Sequence, residues 1–327
     1  IIIAFAATVV ITYLIRRLSV DYAWYIAIGV GALSDMVILL AGDFMMNVSN
    51  EILQKTQGAS AVMKLARQIA LPGRGVTIPV ITGDPEAAWV AETASKPVSN
   101  GTPATKLMTA YKIAVIETFS KEFVRDAQAL YDALVERLPK SLAAVFDSTV
   151  VGATQAPGNN FDTFASCTAQ SILNANNGTY LGLVAADGDI AAHGGIMNGL
   201  ALSAQAKSIL LSAVDTTNRP LFLASAKEGV VDKVLGVDTY FNKNIYKAGA
   251  SATSTPATVG IAGDWSQAMY GTVAGVEISF SDTATLTSGN TTINLWQQNM
   301  VAVRAEIEVG FRADTSCFNL LTGAIPS

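Results

Sequence analysis

The sequence predicts a mixed fold of helices and strands, on three observations. The first is a long amphipathic stretch from Ser120 to Asp147. The second is a stretch from Met300 to Arg312 with a clean two-residue period. The third is a pair of β-rich runs, Val76 to Thr82 and Tyr111 to Phe119, which flank a segment rich in Ser, Pro, Thr and Gly. The chain has 327 residues, half of them hydrophobic and 14% charged, enough for a large core in one elaborate domain or two. Its net charge of −5 argues against a surface that holds nucleic acid by counterion release, and leaves loose enclosure open. Cys167 and Cys317 stand far apart and the single histidine is His193, so neither a disulfide framework nor a Cys/His metal site is expected. The composition fits a reducing cytoplasm.

The N-terminal 44 residues hold two apolar runs, Ile1 to Ile15 and Tyr22 to Gly42, separated by Arg16 and Arg17. The second is long enough to span a bilayer, which takes about 20 apolar residues. Asp35 near its middle would cost roughly 2.5–3.5 kcal/mol there. Two readings stand at even weight, a membrane hairpin and an apolar segment buried in an assembly. A signal peptide fits poorly.

Val48 to Ala70 has a helical rhythm and ends at Leu71-Pro72-Gly73-Arg74-Gly75. Val76 to Thr82 then reads as a strand, placed at an edge by Pro79. Gly83-Asp84-Pro85 is a turn, and Tyr111 to Phe119 returns as a strand with Ile113, Val115 and Glu117 on one side. This is a long two-stranded excursion. An isolated hairpin is marginal in water, so it lies either on a neighbouring chain or back on its own domain.

In the long helix Phe123, Ala127, Leu130, Leu134 and Leu138 fall on one face, and Leu142, Val145 and Phe146 continue it. Ser120 can cap it, and Pro139 predicts a kink or a restart. Beyond it, Phe161 to Ile172 reads as a short helix and Gly199 to Val214 as another. Leu221 to Leu223 reads as a short buried strand, and Val230 to Tyr240 as a second with Gly236 inside. Asp187-Gly188-Asp189 reads as a surface turn, since it lacks the further ligands of a calcium loop. Lys247 to Pro256 is an expected exposed loop. In the last third, Val301, Val303, Ala305, Ile307, Val309 and Phe311 form the buried face of a long strand. Ala302, Arg304, Glu306, Glu308 and Arg312 form its solvated face.

Motifs for chemistry are sparse. There is no P-loop, HExxH or GxSxG, and Gly29-Val30-Gly31 has no third glycine. His193 has no nearby catalytic partner in sequence, and Glu306 and Glu308 share an outward strand face. No catalytic residue, metal or cofactor is expected.

The order of several stretches resembles the major capsid proteins of tailed bacteriophages, the Hong Kong ninety-seven capsid fold. They are Ile78 to Ile81, Ala88 to Glu92 with Lys96-Pro97, Lys112 to Ala114, Ser120 to Asp126, Asp147 to Gly152 with Pro157-Gly158, Leu235-Gly236, Gly263-Asp264 and Asn299 to Phe311. The resemblance covers about Val48 to Gly323, and the combined order is more specific than any one stretch. It implies an α+β fold with an N-terminal arm (45–75), an extended β-hairpin loop (76–119), a peripheral domain with a spine helix (120–160 and 289–327) and an axial domain (161–288). Residues 1–44 stay an apolar segment without a family counterpart, and a capsid chain beginning at Met45 or Met46 is a further reading.

The resemblance further implies intersubunit contacts through Trp89, Glu92, Lys96, Lys106 and Lys112. It implies a spine core of Phe123, Leu130, Leu134 and Leu138, and a peripheral strand core of Val301, Val303, Ile307, Val309 and Phe311. The implied function is a self-assembling icosahedral shell of pentamers and hexamers around double-stranded DNA, held without sequence specificity. It would be assembled in the bacterial host cytoplasm and found in the virion. Portal, scaffold or decoration proteins are the further partners implied. No cross-linking activity is carried over. Two alternatives remain: an encapsulin-type shell with a protein cargo, and a membrane-anchored soluble α/β domain.

Overall fold

The computed structural model describes residues 49–73, 75–81, 89–90, 103–124, 127–173, 178–215, 217, 219–222, 233–249, 256–273, 275–288 and 291–323. The chain divides into two compact units, Ile1–Glu51 and Ile52–Ser327. Of the first, only 49–51 are described, as helix. Both expected apolar runs, Ile1 to Ile15 and Tyr22 to Gly42, lie outside the described residues. Among those described, no helix is long and apolar enough to cross a membrane.

In the second unit the chain leaves a helical stretch ending at 59 and enters α1 (Ala61–Leu65), capped by Ser60, whose Oγ accepts from Met63 N. It then forms β1 (Arg67–Ala70), so the helical rhythm expected up to Ala70 stops short. Strands β2 (Val76–Ile81) and β3 (Pro103–Met108) pair antiparallel as a separate ribbon, and β4 (Tyr111–Ser120) follows. Ser120 is thus the last residue of a strand, where a helix cap was expected. A short helix α2 (Lys121–Val124) precedes the long α3 (Ala127–Val151).

Helix α3 runs without interruption through Pro139, so the expected restart does not occur. Its buried side holds Leu134, Leu138, Leu142 and Phe146, whereas Val145 is exposed at 46%. Val145 therefore leaves the predicted stripe, because Phe146 and Leu142 already fill the face turned to the core. The side chains of Phe123 and Leu130 lie outside those described.

The expected helix over 161–172 is instead a 3-10 turn, Phe164–Ser166, and strand β5 (Thr168–Ser171). Helix α4 (Gly178–Ala192) carries Asp187 and Asp189, so the predicted surface turn there is helical. The expected helix 199–214 begins as strand β6 (Gly199–Leu202) and becomes α5 (Ala204–Ser212) only after Ser203, its cap. All four β6 residues are buried, and a fully buried strand reads like a buried helix segment in sequence. Leu221 is 46% exposed and lies outside a strand, and Leu223 falls outside the described residues. The expected strand 230–240 is a hairpin, β7 (Lys233–Val234) and β8 (Val237–Phe241). Leu235 and Gly236 form its two-residue turn with φ of 52° and 81°, the left-handed conformation such turns require.

Strand β9 (Ala257–Gly263) is followed by β10 (Ala268–Thr272), β11 (Glu277–Ser281), the ribbon β12 (Thr285–Ser288)–β13 (Thr291–Asn294), β14 (Met300–Ala313) and β15 (Phe318–Gly323). Two sheets organise these strands. In the first, β14 is central. It pairs with β4 along one edge, and with β10 and β11 along the other, while β1 adds to β10. The second sheet has the order β5-β15-β9-β6-β8-β7. Sheet membership thus crosses the expected boundary at 288/289: β10 and β11 join β14, and β15 joins the other sheet.

Two of the chain's passes between the sheets run side by side. Gly263 leaves β9 through Asp264 to reach β10, and Ala313 leaves β14 through Asp314 to reach β15. Each aspartate accepts from the backbone and hydroxyl of the serine two residues on, Ser266 or Ser316. Reciprocal bonds, Asp264 N to Cys317 O and Asp314 N to Gln267 O, tie the two passes together. An aromatic cluster fills the junction. Phe164 stacks on Phe318 at 4.5 Å, and Trp265, Phe311, Phe146 and Phe161 meet around them edge-on or tilted. Trp265 Nε1 donates to Gly199 O, so the indole is buried without a lost donor.

Candidate assembly elements

The β2–β3 ribbon leaves the body at a locked base. Met108, fully buried, ends β3 against Gly310 of β14 and Gly271 of β10. A Cβ at Gly310 would lie 2.8 Å from Met108 Cγ and from Thr109 O, so the close approach requires glycine. Gly75, φ 94°, makes the turn into β2 beside Met108 O. Arg312 then bolts the base. Its Nε donates to Leu107 O at 2.8 Å, Nη1 to Asp162 Oδ1 at 2.7 Å and Nη2 to Asn160 Oδ1 at 3.0 Å. Asp162 Oδ2 also accepts from Ala313 N, and Lys106 Nζ donates to Ala313 O. Sequence alternation put Arg312 on the solvated strand face. It is only 9% exposed, because the loop base covers the C-terminal third of β14.

Upstream on the same face the charged residues Arg304, Glu306 and Glu308 reach solvent at least in part, whereas Ala302, expected there too, is buried, at 5% exposure. Lys112 of β4 lies 3.3 Å from Glu308 and 3.7 Å from Glu306, and Arg304 lies 3.3 Å from Glu306. The carboxylates raise the Lys112 pKa, first through the Glu308 hydrogen bond. The opposite face holds Val303, Ile307, Val309 and Phe311, all fully buried or nearly so, with Val301 half-buried.

A second fixing point is Asp147, fully buried near the end of α3. It accepts from Ser60 Oγ, Ala61 N and Val62 N of the N-terminal segment, and from Asn242 Nδ2 after β8. Asn242 Nδ2 also donates to Ala59 O. One carboxylate therefore ties the segment before β1, the long helix and the second sheet. Burial pushes its pKa up from 3.8 to about 6, against the lowering effect of Ser60 and the two amides.

Of the predicted contact residues, Trp89 is fully exposed, and Glu92 and Lys96 lie outside the described residues. Lys106 and Lys112 are at the loop base and on β4, each engaged within its own chain. The Arg312–Asp162–Asn160 cluster and the Asp147 node were not anticipated. For Asp147 a signal exists: a lone carboxylate beside Phe146 in an otherwise apolar helix end. The paired Asp-x-Ser turns at 264 and 314 were likewise visible as a repeat. Arg312 had no local signal. His193, at the end of α4, is exposed, with Nδ1 2.8 Å from Asp189 O.

These elements do mechanical work, fixing a projecting ribbon and a long helix to a two-sheet body. That defines a structural subunit. Residues 46–315 match the phage capsid family, and the chain belongs to it. It is 28% identical over 300 residues to the probable major capsid protein gp17 of Mycobacterium phage L5, covering 84% of this chain and 87% of that protein. It is 26% identical over 299 residues to the major capsid protein of Staphylococcus phage 80alpha, covering 86% of each. Among solved structures, a chain of Microbacterium phage Oxtober96 superposes with a TM-score of 0.65 at 20% identity, over 81% of this chain and 91% of that one. A chain of Gordonia phage Cozz gives 0.64 at 21%, over 82% and 87%. The fold is the Hong Kong ninety-seven type, and the chain is a shell-forming major capsid protein, a structural component of a tailed-phage virion.

Proposed function

We propose that copies of this chain assemble as pentamers and hexamers into an icosahedral shell that encloses double-stranded DNA, without sequence-specific contacts, in the cytoplasm of a bacterial host. The observation that carries this reading is the loop base. Arg312, Asp162 and Met108 hold the β2–β3 ribbon to β14, and in the sequence between β2 and β3 lies Trp89, fully exposed among the described residues. An indole so placed suits contact with a neighbouring subunit. The negative balance fits confinement of DNA better than attachment to it.

The segment 45–75 serves as the arm and 76–119 as the extended loop. The peripheral domain takes α3 and the β14 sheet, including β10 and β11, and the axial domain takes the six-stranded sheet with α4 and α5. Trp89, Glu92 and Lys96 serve contacts to the neighbour, while Lys106 and Lys112 hold the loop. The role is mechanical and includes no catalysis. Portal, scaffold and decoration proteins are its expected partners.

The test is nuclease treatment of particles purified from infected cells. Double-stranded DNA that survives nuclease and is released by opening the particle is the expected result. Particles filled with a defined protein and free of DNA would replace this reading with an encapsulin-type shell.

A further inference from the structure

Helix α4 carries large apolar side chains on its exposed side as well as its buried one. Thr179, Gly182, Leu183, Ala186 and Ile190 face the six-stranded sheet and are buried. The helix presses on β5 so closely that a Cβ at Gly182 would lie 2.2 Å from Ser171 O. Its other side presents Tyr180, Leu181 and Val184 at 46, 48 and 40% exposure, followed by Ile196 at 77%. Large apolar side chains exposed on the outer side of a packed helix suit an interaction site. Alpha-4 packs on β5, β15 and β9, at one end of the sheet order.

The other end of that sheet has a different character. The β7–β8 hairpin offers Leu235, exposed at 37%, at its tip. Lys233 is exposed beside Asp238 at 3.2 Å, and Lys243 is exposed just after β8. Lys207 lies over the Phe241 ring. Lys207 and Lys243 have no carboxylate partner among the described residues. By contrast no Lys or Arg occurs between Lys140 and Lys207, and α4 carries Asp187 and Asp189. Among the described residues, one end of the sheet thus joins an apolar helix face to exposed Asp187, and the other joins Leu235 to Lys207, Lys243 and the Lys233–Asp238 pair.

We propose that the outer face of α4 in one copy docks on the β7–β8 end of the six-stranded sheet in the next copy, head to tail. Two different patches on opposite ends of one sheet make a heterologous contact, which closes into a ring when the rotation allows. The opposite charges set register and disfavour α4-to-α4 pairing, where Asp187 would face its own kind. This inference rests on the shell reading and assigns the surfaces through which copies meet.

The test uses full-length chains carrying Leu181→Cys, Leu235→Cys or both, treated with a short bis-maleimide after assembly. The wild-type chain, with Cys167 and Cys317, supplies the background. The double variant is expected to give a ladder of covalent multimers on a denaturing gel. Each single variant should give only background, and a mixture of the two single variants should give dimers alone. Cross-linked dimers from Leu181→Cys by itself would overturn the proposal in favour of a symmetric contact. Normal shells from the double variant with no ladder would overturn the surface assignment and leave the shell reading standing. A wild-type chain that folds and forms no shells would overturn the shell reading and the proposal that rests on it. As a second line, Leu181→Lys changes a residue exposed in the subunit. It should keep the wild-type melting temperature and lower shell yield at least tenfold; an unchanged yield would count against the proposal.

Discussion

Asp147 is a carboxylate held out of water by four donors. Its folded-state pKa, about 6, exceeds the ordinary 3.8 because desolvation outweighs the donors. Protonation therefore favours the folded chain. The contribution is fully present below about pH 4 and is lost as pH rises through about 6. A shift near two units corresponds to about 3 kcal/mol. The Asp147→Asn variant lacks this titration. Wild type should gain on the variant as pH falls from 7 to 4.5, read as a widening difference in melting temperature. A constant difference across that window would show that Asp147 does not titrate there.

Arg312 acts through geometry. Its planar fork meets Asp162, Asn160 and Leu107 O at once, which a lysine cannot do. Arg312→Met should cost about 3 kcal/mol in urea unfolding, since it leaves a largely buried carboxylate short of its partner. Arg312→Lys should recover less than half of that loss. Full recovery by lysine would mean that charge alone, and not the fork, holds the loop base.

At the scale of the element, β14 is the piece around which the first sheet is built, and Ile307 sits at its middle with 1% exposure. Ile307→Asp should cost several kcal/mol and abolish soluble expression, because the charge would have no partner in the core. Gly310→Ala should cost about 1–3 kcal/mol by forcing Met108 and Thr109 away from the strand. A wild-type unfolding midpoint for Gly310→Ala would show that the loop base is less tightly packed than its geometry indicates.

The strand and the long helix were legible because each repeats one period over many residues. Beta-4 was legible for the same reason. Beta-6 was not, since four buried residues before a helix carry no period of their own, and Ser203 as a cap was hidden inside an apolar run. Nor was the burial of Arg312, because alternation reports which face a residue occupies and says nothing of what a distant segment lays over that face. The Asp147 node escaped for a related reason: its donors come from Ser60 and Asn242, some 90 positions away on either side.

For the whole molecule, two sheets are joined by a double crossover and an aromatic cluster, and one ribbon leaves the body. The family was legible from the order of short stretches along the chain, while the exchange of β10, β11 and β15 between the sheets was not, because only pairing reveals it. Among the described residues of β2 and β3, none belongs to the two large core clusters of the body. Deleting Thr93 to Thr105 should therefore leave the subunit's melting temperature near wild type and prevent shells of normal size and stability. Normal particles from that deletion would remove the loop from the assembly mechanism.

The central claim is that this chain builds a closed shell from copies of itself. Sedimentation of the purified full-length chain, with electron microscopy of the same sample, tests it most directly. Closed particles of megadalton mass, or rings of five and six subunits, are the predicted result. A folded monomer at every concentration would contradict it.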